Sequence, residues 1–377
     1  MRTAATQGAT VHALRLSDAL TRILKGACVA KASDIHLRAD QAPIVRLAGE
    51  LRPFEHPPLS RQFIEESRDA LGVAALIPRE RLARPQVDFS CVVPDVGRFR
   101  VHAYHQAGGP ALVLRAIPDP IPDLGALRLP PVVKRLAALD RGLVLVTGAT
   151  GNGKSTTIAA LLELVNQELF RHIVTLEDPV EFIFEEKRST FSQREVGRDV
   201  DDAHQGLLGA LREDPDWVFV GEIRTLDELD VALSAAEAGH VVISTMHAQD
   251  TTRAIQRMVN LYAEGHRDSA RQRLADSLAG IVSQRLLLRR GTRERILATE
   301  VLLRTPTVQD CIRDPARIRG LGGALEAGTG EYGTHTFDQQ ILALFSAGLI
   351  AEDTARAAAS SPHDVTRAMK MSGRWPR

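Results

Sequence analysis

Gly148-Ala149-Thr150-Gly151-Asn152-Gly153-Lys154-Ser155-Thr156-Thr157 is the stretch that decides the fold. It fits the pattern G-x-x-x-x-G-K-[ST], with Gly148, Gly153, Lys154 and Ser155 in register. An apolar run of strand length, Leu143 to Val146, precedes it. Ile158, Leu161, Leu162 and Val165 follow at helical spacing. Such a strand, glycine loop and helix turn backbone N–H groups inward around phosphates and point the positive end of the helix at them. Lys154 is placed to neutralise the β- and γ-phosphates, and the Ser155 hydroxyl to hold Mg²⁺. The expectation is a nucleoside triphosphate site whose cradle is Gly148, Thr150, Gly151, Asn152, Gly153, Lys154, Ser155 and Thr156.

The whole chain has 377 residues, room for roughly two or three domains. Lys and Arg number 47, as do Asp and Glu, so no global field argues for a nucleic-acid partner. Aromatic residues make up only 4%, which leaves the core to Leu, Val, Ile and Ala. Cys28, Cys91 and Cys311 lie far apart and form no C-x-x-C pair, as expected of free thiols in a reducing compartment. No apolar run approaches the roughly 18–20 residues of a membrane span. The first seventeen residues lack the apolar core and cleavage site of a signal peptide. The expected address is the cytoplasm, with peripheral attachment to a membrane complex left open.

Outward from the loop, the chain divides. Ser17 to Val29 and Arg61 to Leu71 read as helices, with two strands around Ile35 and Ile44 and three more between Val87 and Ile117. Residues 1–117 thus form a small α+β domain. Three prolines between Pro118 and Pro122 make a semi-stiff linker, 118–124. In 125–266, strands LVLVT, HIVTLED, WVFVGEI and HVVISTMH alternate with helices, which predicts an α/β fold with a mainly parallel sheet and catalytic groups at the strands' carboxyl ends. Residues 267–377 read as mostly helical: Arg271 to Leu287 and Pro306 to Arg313 as helices around a strand RILATEVLL, then a flexible glycine-rich connector and two final helices.

Four blocks in order give the chain a family resemblance: GATGNGKSTT, the acidic box TLEDPVEF, the Walker B region LREDPDWVFVGEIRTLDEL and the histidine box AGHVVISTMHAQD. With FSQREVGRD, ASDIHLRADQAPIVRLAGELR and GRFRVHAYHQ, the chain resembles the secretion ATPases, and among them the type IV pilus retraction ATPases. Type II secretion and pilus-extension members usually carry a four-cysteine zinc insertion, which three scattered cysteines cannot build. The resemblance implies a RecA-like core, a PAS-like amino-terminal domain and a homohexameric ring. It also implies an ATP-driven motor that acts on the inner-membrane pilus platform protein from the cytoplasmic face, alone or with a paralogous pilus ATPase. The alternatives are an accessory ATP-binding ring, or a motor for secretion or DNA uptake. One departure favours the accessory role: after Thr305-Pro306, the position of an expected arginine holds Gln309.

On chemistry alone, Glu177, Asp178 or Glu181 can orient the attacking water. The resemblance points to Glu181. Glu222, after the apolar run WVFV, is the Walker B acid that meets Mg²⁺. Asp214 and Asp216 lie at the other end of that strand and read as structural. His240 and His247 bracket VVISTM from opposite ends, too far apart for a metal pair. The resemblance makes His247 the γ-phosphate sensor. Arg98, Arg100 and His102 share one face of a strand, and the resemblance assigns Arg100 and Arg115 to the nucleotide.

Overall fold

The computed structural model describes residues 16–47, 49–106, 109–118, 120–292 and 294–371. The stretch bearing on a signal peptide falls almost wholly outside them, as does Asp119 of the proline linker. The chain forms two compact units, Met1–Asp119 and Pro120–Arg377.

The first unit is a six-stranded antiparallel sheet in the order β3-β2-β1-β6-β5-β4. Its strands are β1 (Asp34–Arg38), β2 (Ile44–Leu47), β3 (Glu50–Pro53), β4 (Gln86–Val93), β5 (Gly97–Gln106) and β6 (Gly109–Ile117). The helices Asp18–Val29 and Arg61–Ala74 start at Ser17 and Ser60, whose hydroxyls accept from the N–H groups of Leu20 and Phe63. Leu20, Ile23, Leu24, Ile64 and Leu71 of these helices share a core with Ile35, Phe89, Phe99 and Leu114 of the sheet. Along β5, Phe99, Val101 and Ala103 are buried while Arg98, Arg100 and His102 take the other face. Strand β3 is additional to the two expected at that point. All four of its residues are exposed, so burial left no apolar alternation to read there.

The second unit carries a seven-stranded sheet in the order β13-β12-β7-β11-β10-β8-β9. The strands are β7 (Gly142–Thr147), β8 (His172–Glu177), β9 (Thr190–Glu195), β10 (Trp217–Val220), β11 (Val241–Met246), β12 (Leu278–Leu288) and β13 (Arg295–Leu303). Every pairing from β12 to β9 is parallel, and β13 is antiparallel to β12. β7, β10 and β11 are buried at every position, as a parallel sheet covered on both faces requires. Its largest core cluster contains a single aromatic residue, Tyr262.

Two expectations fail here. The helix expected over Arg271 to Leu287 is a helix only at Arg267–Ser277; Leu278–Leu288 is strand β12, parallel to β7. The sheet therefore continues past residue 266 to Leu303. Periodicity cannot separate an all-apolar run such as Leu278 to Val282 from a buried helix, and pairing with β7 decides it. The glycine-rich connector is also helical, at Leu321–Ala327 and Thr329–Tyr332, because Leu321 and Leu325 lie one turn apart and are both buried. Beyond it the helices Phe337–Ser346, Glu352–Ala358 and Pro362–Met371 pack through Phe337, Ile341, Val365 and Met369 on Leu287, Ile296 and Ala298 of β12 and β13. No helix among the described residues is long and apolar enough to cross a membrane.

Candidate nucleotide site

Strands β7, β11, β10 and β8 are parallel neighbours, with Thr147 opposite Met246, and Val220 opposite both Ser244 and Leu176. The segments that leave them therefore emerge at one edge: the glycine loop, His247, Gly221-Glu222 and the turn Asp178 to Glu181. Ligands bind in this position in open α/β sheets.

The loop is held from behind by β12. Gly148 has φ +145°, and a Cβ there would sit 2.6 Å from the Gln284 carbonyl oxygen, so only glycine fits. Asn152 Nδ2 donates to that same carbonyl at 3.0 Å, and Gln284 Nε2 donates to Thr157 Oγ1 at 2.6 Å. The Asn152 side chain thus braces the loop, a role the sequence did not reveal because its partner lies over a hundred positions away. Gly153, left-handed at φ +82°, delivers the chain into the helix Lys154–Glu168. Lys154 Nζ donates to the carbonyls of Gly148 at 3.0 Å and Ala149 at 3.2 Å. Burial lowers the lysine's pKa, and the carboxylates of Glu222 and Glu181 oppose that shift. Both acids therefore act on the lysine.

Glu222 Oε2 accepts from Arg224 Nε at 2.8 Å, and its Oε1 lies 3.5 Å from His247 Nε2. The three acids of the box separate by environment. Glu177 is buried and supports the turn: its Oε2 accepts from the N–H of Glu181 at 3.4 Å and its Oε1 from Thr175 Oγ1 at 2.9 Å. Burial pushes the Glu177 carboxyl up to about 7, opposed by its hydrogen bonds and reinforced by the Glu181 charge. Glu195, also buried, accepts from the N–H of Val180 at 3.1 Å. Asp178 is exposed. At the opposite edge, the His240 carbonyl accepts from Gly142 N–H at 3.0 Å and Asp216 Oδ2 from His172 N–H at 2.8 Å.

In the first unit, Arg100 and Arg115 lie directly opposite each other on β5 and β6. Like charges so placed repel unless partnered. Arg115 Nε donates to Asp34 Oδ1 at 2.8 Å. Burial pushes the Asp34 carboxyl up, but hydrogen bonds from Arg115 and Ser33 bring it below the usual range. The sequence had not singled out Asp34, whose partnership depends on the β1–β6 pairing.

Beside the loop, a cavity of about 340 Å³ is lined by Asn152, Gly153 and Thr156, by the apolar Leu286 and Ile296, and by Arg289. Among the described residues no group of three or more His, Cys, Asp and Glu could cage a metal.

The type II/IV secretion system protein family matches residues 11–319. The chain is 37% identical to the type IV pilus retraction ATPase PilT of Pseudomonas aeruginosa, over 92% of this chain and 99% of that one. It is 34% identical to the type IV pilus ATPase PilU of the same organism, over 90% of this chain and 88% of that one. A crystal structure of the pilus retraction motor PilT with bound ADP superposes with a TM-score of 0.80 at 38% identity, covering 92% and 98% of the two chains.

Proposed function

The chain belongs to the type II/IV secretion system protein family, and on that premise we propose that it is an ATPase that drives pilus retraction from a RecA-like core. The observation that supports the site assignment is the parallel register of β7, β11, β10 and β8, which brings the segments bearing Lys154, Glu181 and Glu222 to one sheet edge. The glycine loop and Lys154 bind the phosphates of ATP, exchanging the lysine's two bonds to loop carbonyls for phosphate oxygens. Adenine and ribose occupy the cavity beside the loop, between Leu286, Ile296 and Arg289. Glu181, held by its backbone bond to Glu177, orients water for in-line attack on the γ-phosphorus. His247, whose Nε2 lies 3.5 Å from Glu222 Oε1, senses the γ-phosphate. Ser155 and Glu222 would hold Mg²⁺, which supplies charge neutralisation across the β- and γ-phosphates.

A lone P-loop site lacks one cation for the transition-state charge. Arg100 and Arg115 are our candidates, brought by the PAS-like domain of another copy in a homohexamer. Arg115 would then share its charge between Asp34 and the nucleotide. The ring acts on the inner-membrane platform from the cytoplasmic side, with the proline linker as hinge.

A second reading has its own observation. Gln309 Nε2 donates to the Ala275 carbonyl at 2.9 Å, at the position where the resemblance to the retraction ATPases leads one to expect an arginine. That favours an accessory ring working with a paralogous motor.

Steady-state ATPase assays of the purified protein test the site. Lys154→Ala and Glu181→Ala are expected to lose turnover by roughly 100-fold or more. Unchanged turnover in either would overturn the assignment.

A further inference from the structure

The strap that follows β11, residues 247–251, is tied down by side chains from outside it. Arg257 Nη1 donates to the His247 carbonyl at 2.9 Å. Arg285 Nη2, from β12, donates to the Gln249 carbonyl at 3.3 Å. Glu300 Oε1, from β13, accepts from both the N–H and the Oγ1 of Thr251, at 2.8 and 2.7 Å. The last two residues also face the other way. Glu300 Oε2 accepts from the N–H of Phe337, the first residue of the helix Phe337–Ser346, at 3.3 Å. The Arg285 guanidinium lies 3.8 Å over the Phe337 ring, and its Nη1 donates to the Ala358 carbonyl.

A buried carboxylate is tolerated only when its oxygens are satisfied, and Glu300 divides its oxygens between the strap and the carboxyl-terminal helices. Phe337, fully buried, is the point where both bridging residues meet. If the helices shift, the Phe337 N–H and ring move, and neither Glu300 nor Arg285 can hold both sets of partners. The strap must then give way or the buried groups lose bonds.

We propose that Arg285 and Glu300 are positioning residues that make the placement of His247 depend on the seating of the carboxyl-terminal helices. Contact made on those helices is thereby felt at the γ-phosphate end of the site. This rests on the reading of His247 as the γ-phosphate sensor. The two residues act through the strap, by their bonds to Gln249 and Thr251.

The test is a double-mutant cycle on the full chain, with kcat and KM for ATP and thermal unfolding measured for each variant. Glu300→Gln keeps an acceptor for one partner, and Arg285→Lys keeps the charge but loses the two-pronged geometry. Each is expected to lower kcat roughly tenfold with KM within about twofold, because misplacement of a reacting group costs turnover before binding. Phe337→Leu, which keeps the apolar bulk without the ring face, is expected to lower kcat in the same direction. Combining Glu300→Gln with His247→Ala should give no further loss than His247→Ala alone. Additive losses, or unchanged kcat in Glu300→Gln and Arg285→Lys while His247→Ala is impaired, would overturn the coupling and leave the sensor standing. Full activity of His247→Ala would overturn both. A variant that fails to fold is replaced in the cycle by Phe337→Leu, whose kcat and additivity are read by the same criteria.

Discussion

Glu177 illustrates how one carboxylate can serve a site without touching the substrate. Its ordinary pKa of 4.5 rises to about 7 in the folded protein, so between those values the native state holds a proton that the unfolded chain has released. The stability this contributes is present below about 4.5 and is lost as pH rises through about 7. Glu177→Gln removes the titration while keeping an acceptor for the Glu181 N–H. Urea denaturation at several pH values between 5 and 8 should therefore find the variant gaining on the wild type as pH rises; parallel curves would contradict the assignment. The sequence left Glu177, Asp178 and Glu181 as equals on chemistry. What separates them is burial and the bond between Glu177 and the backbone of the turn, and neither is written in the spacing of the acids. The places of Glu222 and His247 at the sheet edge, by contrast, were legible, because Glu222 lies one residue beyond the fully buried β10 and His247 immediately follows the fully buried β11.

At the scale of elements, the glycine loop depends on a strand the sequence hid. Its own pattern named Gly148, Lys154 and Ser155, but the carbonyl that excludes a side chain at Gly148 belongs to Gln284 on β12. That strand was read as helix because its apolar run fits either element and only pairing with β7 chooses. Gly148→Ala puts a Cβ against this carbonyl in a left-handed backbone. We expect a loss of about 1–3 kcal/mol in stability and roughly tenfold or more in ATP affinity. Thermal unfolding and nucleotide titration measure the two. A variant that binds ATP normally would mean that β12 does not fix the loop. The same dependence on distant partners made helices of the connector, where Leu321 and Leu325 find a core despite the surrounding glycines.

For the molecule as a whole, the alternation of strands and helices predicted the parallel sheet and the edge at which its chemistry collects. The four sequence blocks carried the family. Residue chemistry could not say what load a motor of this kind moves; similarity to pilus retraction and pilus ATPases supplies that. The two readings of the load, independent motor or accessory ring, differ in whether this chain's own hydrolysis is needed. Twitching motility is the direct measure, in a strain of the source organism lacking this chain and complemented with wild type or Glu222→Gln at equal protein levels. The account predicts that wild type restores surface spreading and that Glu222→Gln does not; full restoration by Glu222→Gln would contradict it.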